Sequence, residues 1–166
     1  MKKIAVLVTV FMLFLTACTY APVEDDFEFM ISWTHLGVTY EYSSEEDRLV
    51  MTSPEEERTD TRELVFGASD MRAVKDLVKM MNLANYPDAP DLYDPGTLQT
   101  ESPVDVTLTV RLDGIEKTIR AEGIKISRKA STADGIAFMN MIDITMKMIK
   151  GTEEYRSMPQ LSESAQ

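Results

Sequence analysis

Val104-Asp105-Val106-Thr107-Leu108-Thr109-Val110-Arg111, followed by Leu112-Asp113-Gly114-Ile115, is the stretch that decides the fold. Apolar and polar side chains alternate along it. Successive side chains of an extended chain point to opposite faces. Val104, Val106, Leu108 and Val110 therefore share one face, and Asp105, Thr107, Thr109 and Arg111 share the other. The first face suits a core and the second suits water. Asp113-Gly114 is a two-residue hairpin turn, because both residue types tolerate the left-handed backbone that such a turn needs. Residues 115–121 are then the return strand, and the hairpin belongs to an antiparallel sheet with one wet face.

Working outward, Phe27, Phe29, Ile31 and Trp33 alternate with Glu28, Met30 and Ser32. Residues 34–37 can turn the chain. Val38, Tyr40 and Tyr42 then alternate with Thr39 and Glu41, which makes a second hairpin. Residues 48–52 and 62–66 are expected as third and fourth strands, around the solvated turn Ser53-Pro54-Glu55-Glu56-Glu57. Ser69 is placed to cap a helix starting near Asp70. Val74, Leu77, Val78 and Met81 follow the i, i+3, i+4, i+7 spacing of one buried stripe. That helix stops before Pro87, and residues 86–103 form a proline-rich loop. A last helix is expected from Ser131 or Thr132, with Asp134 three residues after Ser131 in capping-box fashion. It runs to Gly151, with Lys147 and Lys150 in its final turn. The expected architecture is α+β: an antiparallel sheet of five to six strands with two helices packed on one face. It is one domain over residues 27–151, followed by a polar tail, 152–166, expected to be loose.

The N-terminus has another character. Met1-Lys2-Lys3 precedes an apolar run from Ile4 to Phe14, the organisation of a secretory signal. As a helix this run reaches only about 18 Å, short of the roughly 30 Å of a bilayer core. It ends in Leu15-Thr16-Ala17-Cys18, which resembles the lipobox of bacterial lipoproteins. The resemblance implies cleavage between Ala17 and Cys18, a diacylglyceryl group on the Cys18 thiol and often a further acyl chain on the new amino terminus. Two or more acyl chains hold a protein firmly where one is marginal. Residues 1–17 are thus read as a signal peptide and 18–26 as a lipidated tether. The expected location is the cell envelope, on the extracytoplasmic side of a membrane. Thr19 after the cysteine is compatible with either membrane of a two-membrane cell.

Composition narrows the chemistry. Without Lys2 and Lys3 the mature part keeps 15 basic and 28 acidic side chains, a net charge of −13. Such a chain is poorly matched to nucleic acid. Cys18 is the sole cysteine. Committed to lipid, it leaves no disulfide, cysteine nucleophile or thiolate metal site for the domain, which must be held by its core. Residues 18–57 contain eleven acidic side chains against Arg48 alone. Such an asymmetry is either a docking face for a basic partner or a solvated surface that repels anionic lipid.

Few residues propose chemistry of their own. His35 is the only histidine and falls in or near a turn; a hydrolase would need carboxylates and a nucleophile beside it. Asp88, Asp91 and Asp94 recur every third residue in the proline-rich loop. They are oxygen ligands of the kind calcium takes, but without the two-residue ligand spacing of an EF-hand, and aspartates beside prolines also punctuate turns. Ten methionines remain after the signal, and Met139 and Met146 fall off the main stripe of the last helix. They could offer soft sulfur ligands or simply fill a core. No phosphate loop, nucleophile elbow or zinc motif occurs, and no cofactor is implied.

The order of elements, with the D-x-T-x-T-x-R strand Asp105 to Arg111 between two helices, is similar to small bacterial domains of the emfourin type. That similarity implies inhibition of thermolysin-like proteases. The family's glycine-rich first turn is represented by Gly37 alone, so no inhibitory residue transfers. The expectation is a non-enzymatic protein-interaction module with an envelope protein as partner. The alternative is a lipoprotein that binds a small ligand or cation through the 86–103 loop.

Overall fold

The computed structural model describes residues 26–93, 103–125 and 129–159. The signal, the cleavage residues Ala17 and Cys18, nearly all of the tether and Asp94 lie outside them. Six strands are present: β1 (Glu28–His35), β2 (Val38–Ser43), β3 (Arg48–Ser53), β4 (Arg58–Glu63), β5 (Val104–Leu112) and β6 (Ile115–Ile124). Three helices accompany them: α1 (Ala68–Met80), α2 (Ala133–Lys150) and α3 (Glu153–Ser157). The strands form one sheet in the order β4-β3-β2-β1-β5-β6, and every neighbouring pair is antiparallel. The protein is an α+β fold.

Period-two patterning divides the sheet as the sequence predicts. Phe29, Ile31 and Trp33 of β1 are buried, as are Val38, Tyr40 and Tyr42 of β2. Leu49 and Met51 of β3, and Val106, Leu108 and Val110 of β5, join them. Ile31 lies opposite Tyr42 on one side and Leu108 on the other, so the apolar faces of separate strands merge into one surface. Val74, Val78 and Met81 from α1 and its end complete this core, with Phe138, Met141, Ile142 and Ile149 from α2. Met139 and Met146 are also buried. The α2 helix is apolar around more than one stripe because it also packs beside α1.

Four boundaries differ from the sequence reading. The fourth strand is Arg58–Glu63, not 62–66. The four-residue turn at 54–57 closes with Glu57 in the left-handed region, φ 49°, so pairing with β3 starts at once. Leu64 and Phe66 are buried as expected, but they lead toward α1 beyond the end of the ladder. The α1 helix starts at Ala68 behind Gly67, and Ser69 is inside it rather than capping it. At α2 the expected Ser131–Asp134 capping box does not form, and of the two expected starts Thr132 is the cap, its hydroxyl accepting the Gly135 N–H at 2.9 Å and donating to the Asp91 carbonyl. Ser131 instead gives its backbone N–H to the Leu92 carbonyl, 2.9 Å away.

The fourth difference is the tail. The folded part continues past Gly151. Thr152 caps α3 by accepting the Tyr155 N–H. Tyr155 packs on Trp33 and Tyr40, with ring centroids 6.4 and 5.2 Å away, and Met158 is buried. One aromatic and one sulfur side chain in a polar segment bury enough apolar surface to dock it, a signal that composition averages away.

Candidate functional site

The helices lie on one face of the sheet, and the other face carries the second set of alternating side chains. Its cross-strand rows follow from register. One row runs Arg48, Ser43, Met30, Thr109, Thr118 across β3, β2, β1, β5 and β6. A neighbouring row holds Glu28, Arg111 and Glu116. Threonines pair across strands, Thr34 with Thr39 at 2.9 Å and Thr109 with Thr118 at 3.0 Å between hydroxyl oxygens. Such pairs hold a wet sheet surface in register.

At the end of this face where β1 begins there is a groove of about 250 Å³. Glu28, Glu41, Glu45, Glu46 and Glu116 surround it, together with Arg48 and Arg111. Arg111 bonds the Glu28 carboxylate and comes within 3.9 Å of Glu45. Its guanidinium pKa is held above the ordinary value, first by the hydrogen bond it donates to Glu28 and then by the charge of that carboxylate. Arg48 pairs with Glu46. Exposed pairs of this kind are screened by water and contribute little to stability, so they leave their charges available to a partner. The turn beside the groove is held from the start of the described chain. The Asp26 carboxylate accepts the N–H groups of Asp113 and Gly114 at 3.1 and 2.8 Å.

The residues singled out from sequence are distributed differently. His35 is at the other end of β1, half-buried, and its Nδ1 is enclosed with no hydrogen-bond partner among the described residues. Asp88 is exposed and ion-paired to Lys117 at 2.9 Å. Its carbonyl accepts the Arg120 N–H at 2.8 Å, which fastens the loop to β6. Asp91 is exposed and uses its carbonyl to receive Thr132. Among the described residues no three metal-type side chains converge. Of the described acidic residues in the first part, Glu28, Glu41, Glu45 and Glu46 line the groove, and Glu55, Glu56 and Glu57 stand in the 54–57 turn.

The contribution of Arg111, Thr109 and Glu116 to the groove was not singled out from sequence. Alternation puts Arg111 on the wet face. Nothing local says that β5 lies beside β1, which is what brings Arg111 to Glu28. No protein-family model matches the chain, and no curated protein is significantly similar to it in sequence.

Proposed function

We propose that this chain is a bacterial envelope lipoprotein, held to a membrane by lipid on Cys18, whose domain is a non-enzymatic module for binding another envelope protein. The lipobox Leu15-Thr16-Ala17-Cys18 supports the anchor. The groove on the wet face of the sheet carries the binding reading. Five glutamates and two arginines stand there, Glu28, Glu41, Glu116, Arg48 and Arg111 on the paired strands and Glu45 and Glu46 in the turn between β2 and β3, water-accessible. Charge of one dominant sign favours a basic partner surface and speeds its encounter. The D-x-T-x-T-x-R strand behind the emfourin-type resemblance supplies Thr109 and Arg111 to this groove, so a protease is one partner class to test.

Two measurements test the reading. Acyl labelling should disappear in Cys18→Ser, and labelling that persists removes the anchor. A photoreactive side chain at Thr109 should give a defined adduct in intact cells, weakened by Glu41→Lys with Glu45→Lys. A photoreactive group at the exposed helix position Ala73 is the control. Equal adducts from Thr109 and Ala73, or none from Thr109, would count against the groove.

A further inference from the structure

The β4 strand, Arg58-Thr59-Asp60-Thr61-Arg62-Glu63, is an edge of the sheet: β3 pairs with one side of it, and among the described residues no strand pairs with the other. The ladder's phase shows which backbone groups point away from β3. Leu64 gives its N–H to the Asp47 carbonyl at 2.8 Å. Bonding alternates along an antiparallel strand, so Arg62, Asp60 and Arg58 turn their N–H and C=O groups toward β3. Thr59, Thr61 and Glu63 turn theirs outward, and of these the Thr61 carbonyl accepts Arg62 Nη1 of its own chain at 2.9 Å, an exposed contact that a pairing strand displaces or shares. Such an edge is a template for another strand.

We propose that β4 pairs with β4 of a second copy of this chain, antiparallel, about a two-fold axis at Thr61. Charge order and the length of the strand together select partner and register. Outward-bonding residues must face outward-bonding residues, which leaves few two-fold registers. Centring on Asp60 sets Asp60 against Asp60 and Arg58 against Arg62. Centring on Arg62 sets arginine against arginine. Centring on Thr61 alone places Asp60 opposite Arg62 in both directions. These are the non-hydrogen-bonded positions, where facing side chains come closest. Thr59 and Glu63 of the two copies then exchange backbone bonds, as do the two Thr61 residues, giving about six new bonds. Charges on edge strands usually block pairing. Here they oppose the Asp60- and Arg62-centred registers, and opposite charges directly across strands are stabilising. Centring on Thr59 sets Arg58 against Asp60 but draws Glu57, a turn residue with φ 49°, into the ladder, so only the Thr61 register keeps its bonded pairs within the strand.

Asp60 is already flanked within its own chain by Arg58 at 2.7 Å and Arg62 at 3.7 Å. Arg62 also reaches Ser157 Oγ at 3.5 Å and the Thr61 carbonyl at 2.9 Å, neutral partners that a second aspartate replaces with a charge pair. The interface is isologous and closed, so it ends at a dimer. Its axis is perpendicular to the sheet, and the two β1 strands run in opposite directions. A dimer on one membrane therefore lies with its sheet along the bilayer and does not stand on end.

The test uses the full-length chain in native membranes. Thr61→Cys, treated with a short bifunctional thiol reagent, should form dimers, whereas Thr59→Cys, displaced from its own copy along the strand, should not. Adding Asp60→Lys or Arg62→Glu to Thr61→Cys should each lower the dimer yield about tenfold, as two attractive pairs become repulsive. Co-expressing the two charge variants should restore dimers. The introduced lysine of one chain then faces the introduced glutamate of the other, while Arg62 of the first chain faces Asp60 of the second. Rescue requires that both variants fold, so misfolding cannot imitate it. Equal crosslinking from positions 59 and 61, monomers throughout, or no rescue on co-expression overturns the proposal.

Discussion

The two faces of the sheet are made from the same strands and obey different rules. Ser32 and Trp33 are neighbours in β1, yet one faces water and the other is buried against Tyr40 and Tyr155. On the covered face, shape and volume decide. Phe29, Tyr42 and Phe66 form one aromatic group, with centroids 4.7–5.9 Å apart, and Trp33, Tyr40 and Tyr155 form another. On the wet face, hydroxyls and charge pairs decide, and each is individually weak. The difference shows where stability and recognition reside. The covered face can lose little without unfolding, and the wet face can change its chemistry at small cost.

The sharpest way to break this comparison is to substitute the neighbours. Trp33→Ala should lower unfolding free energy by about 3–5 kcal/mol, as expected for deleting a large buried aromatic. Ser32→Ala should change it by about 0.5 kcal/mol or less. Urea titrations of both variants check this, and similar effects would mean that the wet face is covered by something else.

Alkaline pH probes the covered face as a whole. Burial pushes the Tyr155 phenol up to about 12, helped by its proximity to Tyr40. Tyr42 and Tyr86 are raised mainly by burial, and then by nearby Asp47 and Asp134 respectively; Tyr40 is also raised by burial. A folded-state pKa above the unfolded value near 10 means the native state holds its proton more tightly. Stability from these tyrosines is therefore complete below pH 10 and declines as pH rises from 10 through about 12. Lys150 acts in the opposite sense, since burial lowers its pKa, but it is one group against four. Unfolding curves at pH 9, 10 and 11 should show falling midpoints, with a shallower fall in Tyr155→Phe.

The smallest effect is expected at the rim between the faces. Leu36 adopts φ 50° in the β1–β2 turn and is 64% exposed. Among the described residues the other non-glycine positions with positive φ are Asp47, Glu57, Asn82 and Asp113, all polar. A leucine there bears steric strain with little burial in return. Leu36→Asn should raise stability by up to about 1 kcal/mol, because asparagine tolerates this conformation. Thermal unfolding measures it, and a loss of stability would show that Leu36 packs as part of the core.

Several of these features can be read along the chain. The 104–112 alternation and Asp113-Gly114 turn predict the strand and hairpin that form, and β6 extends only three residues past the expected end. That extension depends on an irregularity between Val104 and Val106, where Gly123, with φ 66°, gives its N–H to Asp105. The fourth strand lies ahead of its expected place because Leu64 and Phe66 carry the apolar signal while the polar residues before them carry the pairing. The groove is half legible: alternation marks Glu28, Glu41 and Arg111 as wet, without saying that they meet.

The sequence by itself determined which side chains of β1, β2 and β5 face the core, where the tight Asp113-Gly114 hairpin falls, and that the chain holds one cysteine and one histidine. These are properties of near neighbours, set by the two-residue period of a strand and the conformational limits of turn residues. The tertiary structure decided that β5 inserts beside β1, that Arg111 meets Glu28, that the final segment docks through Tyr155 and Met158, and that β4 is left with an open edge. Each of these joins residues far apart in the chain. Their pairing is selected by how all the apolar faces can be buried together, a condition that no single segment contains.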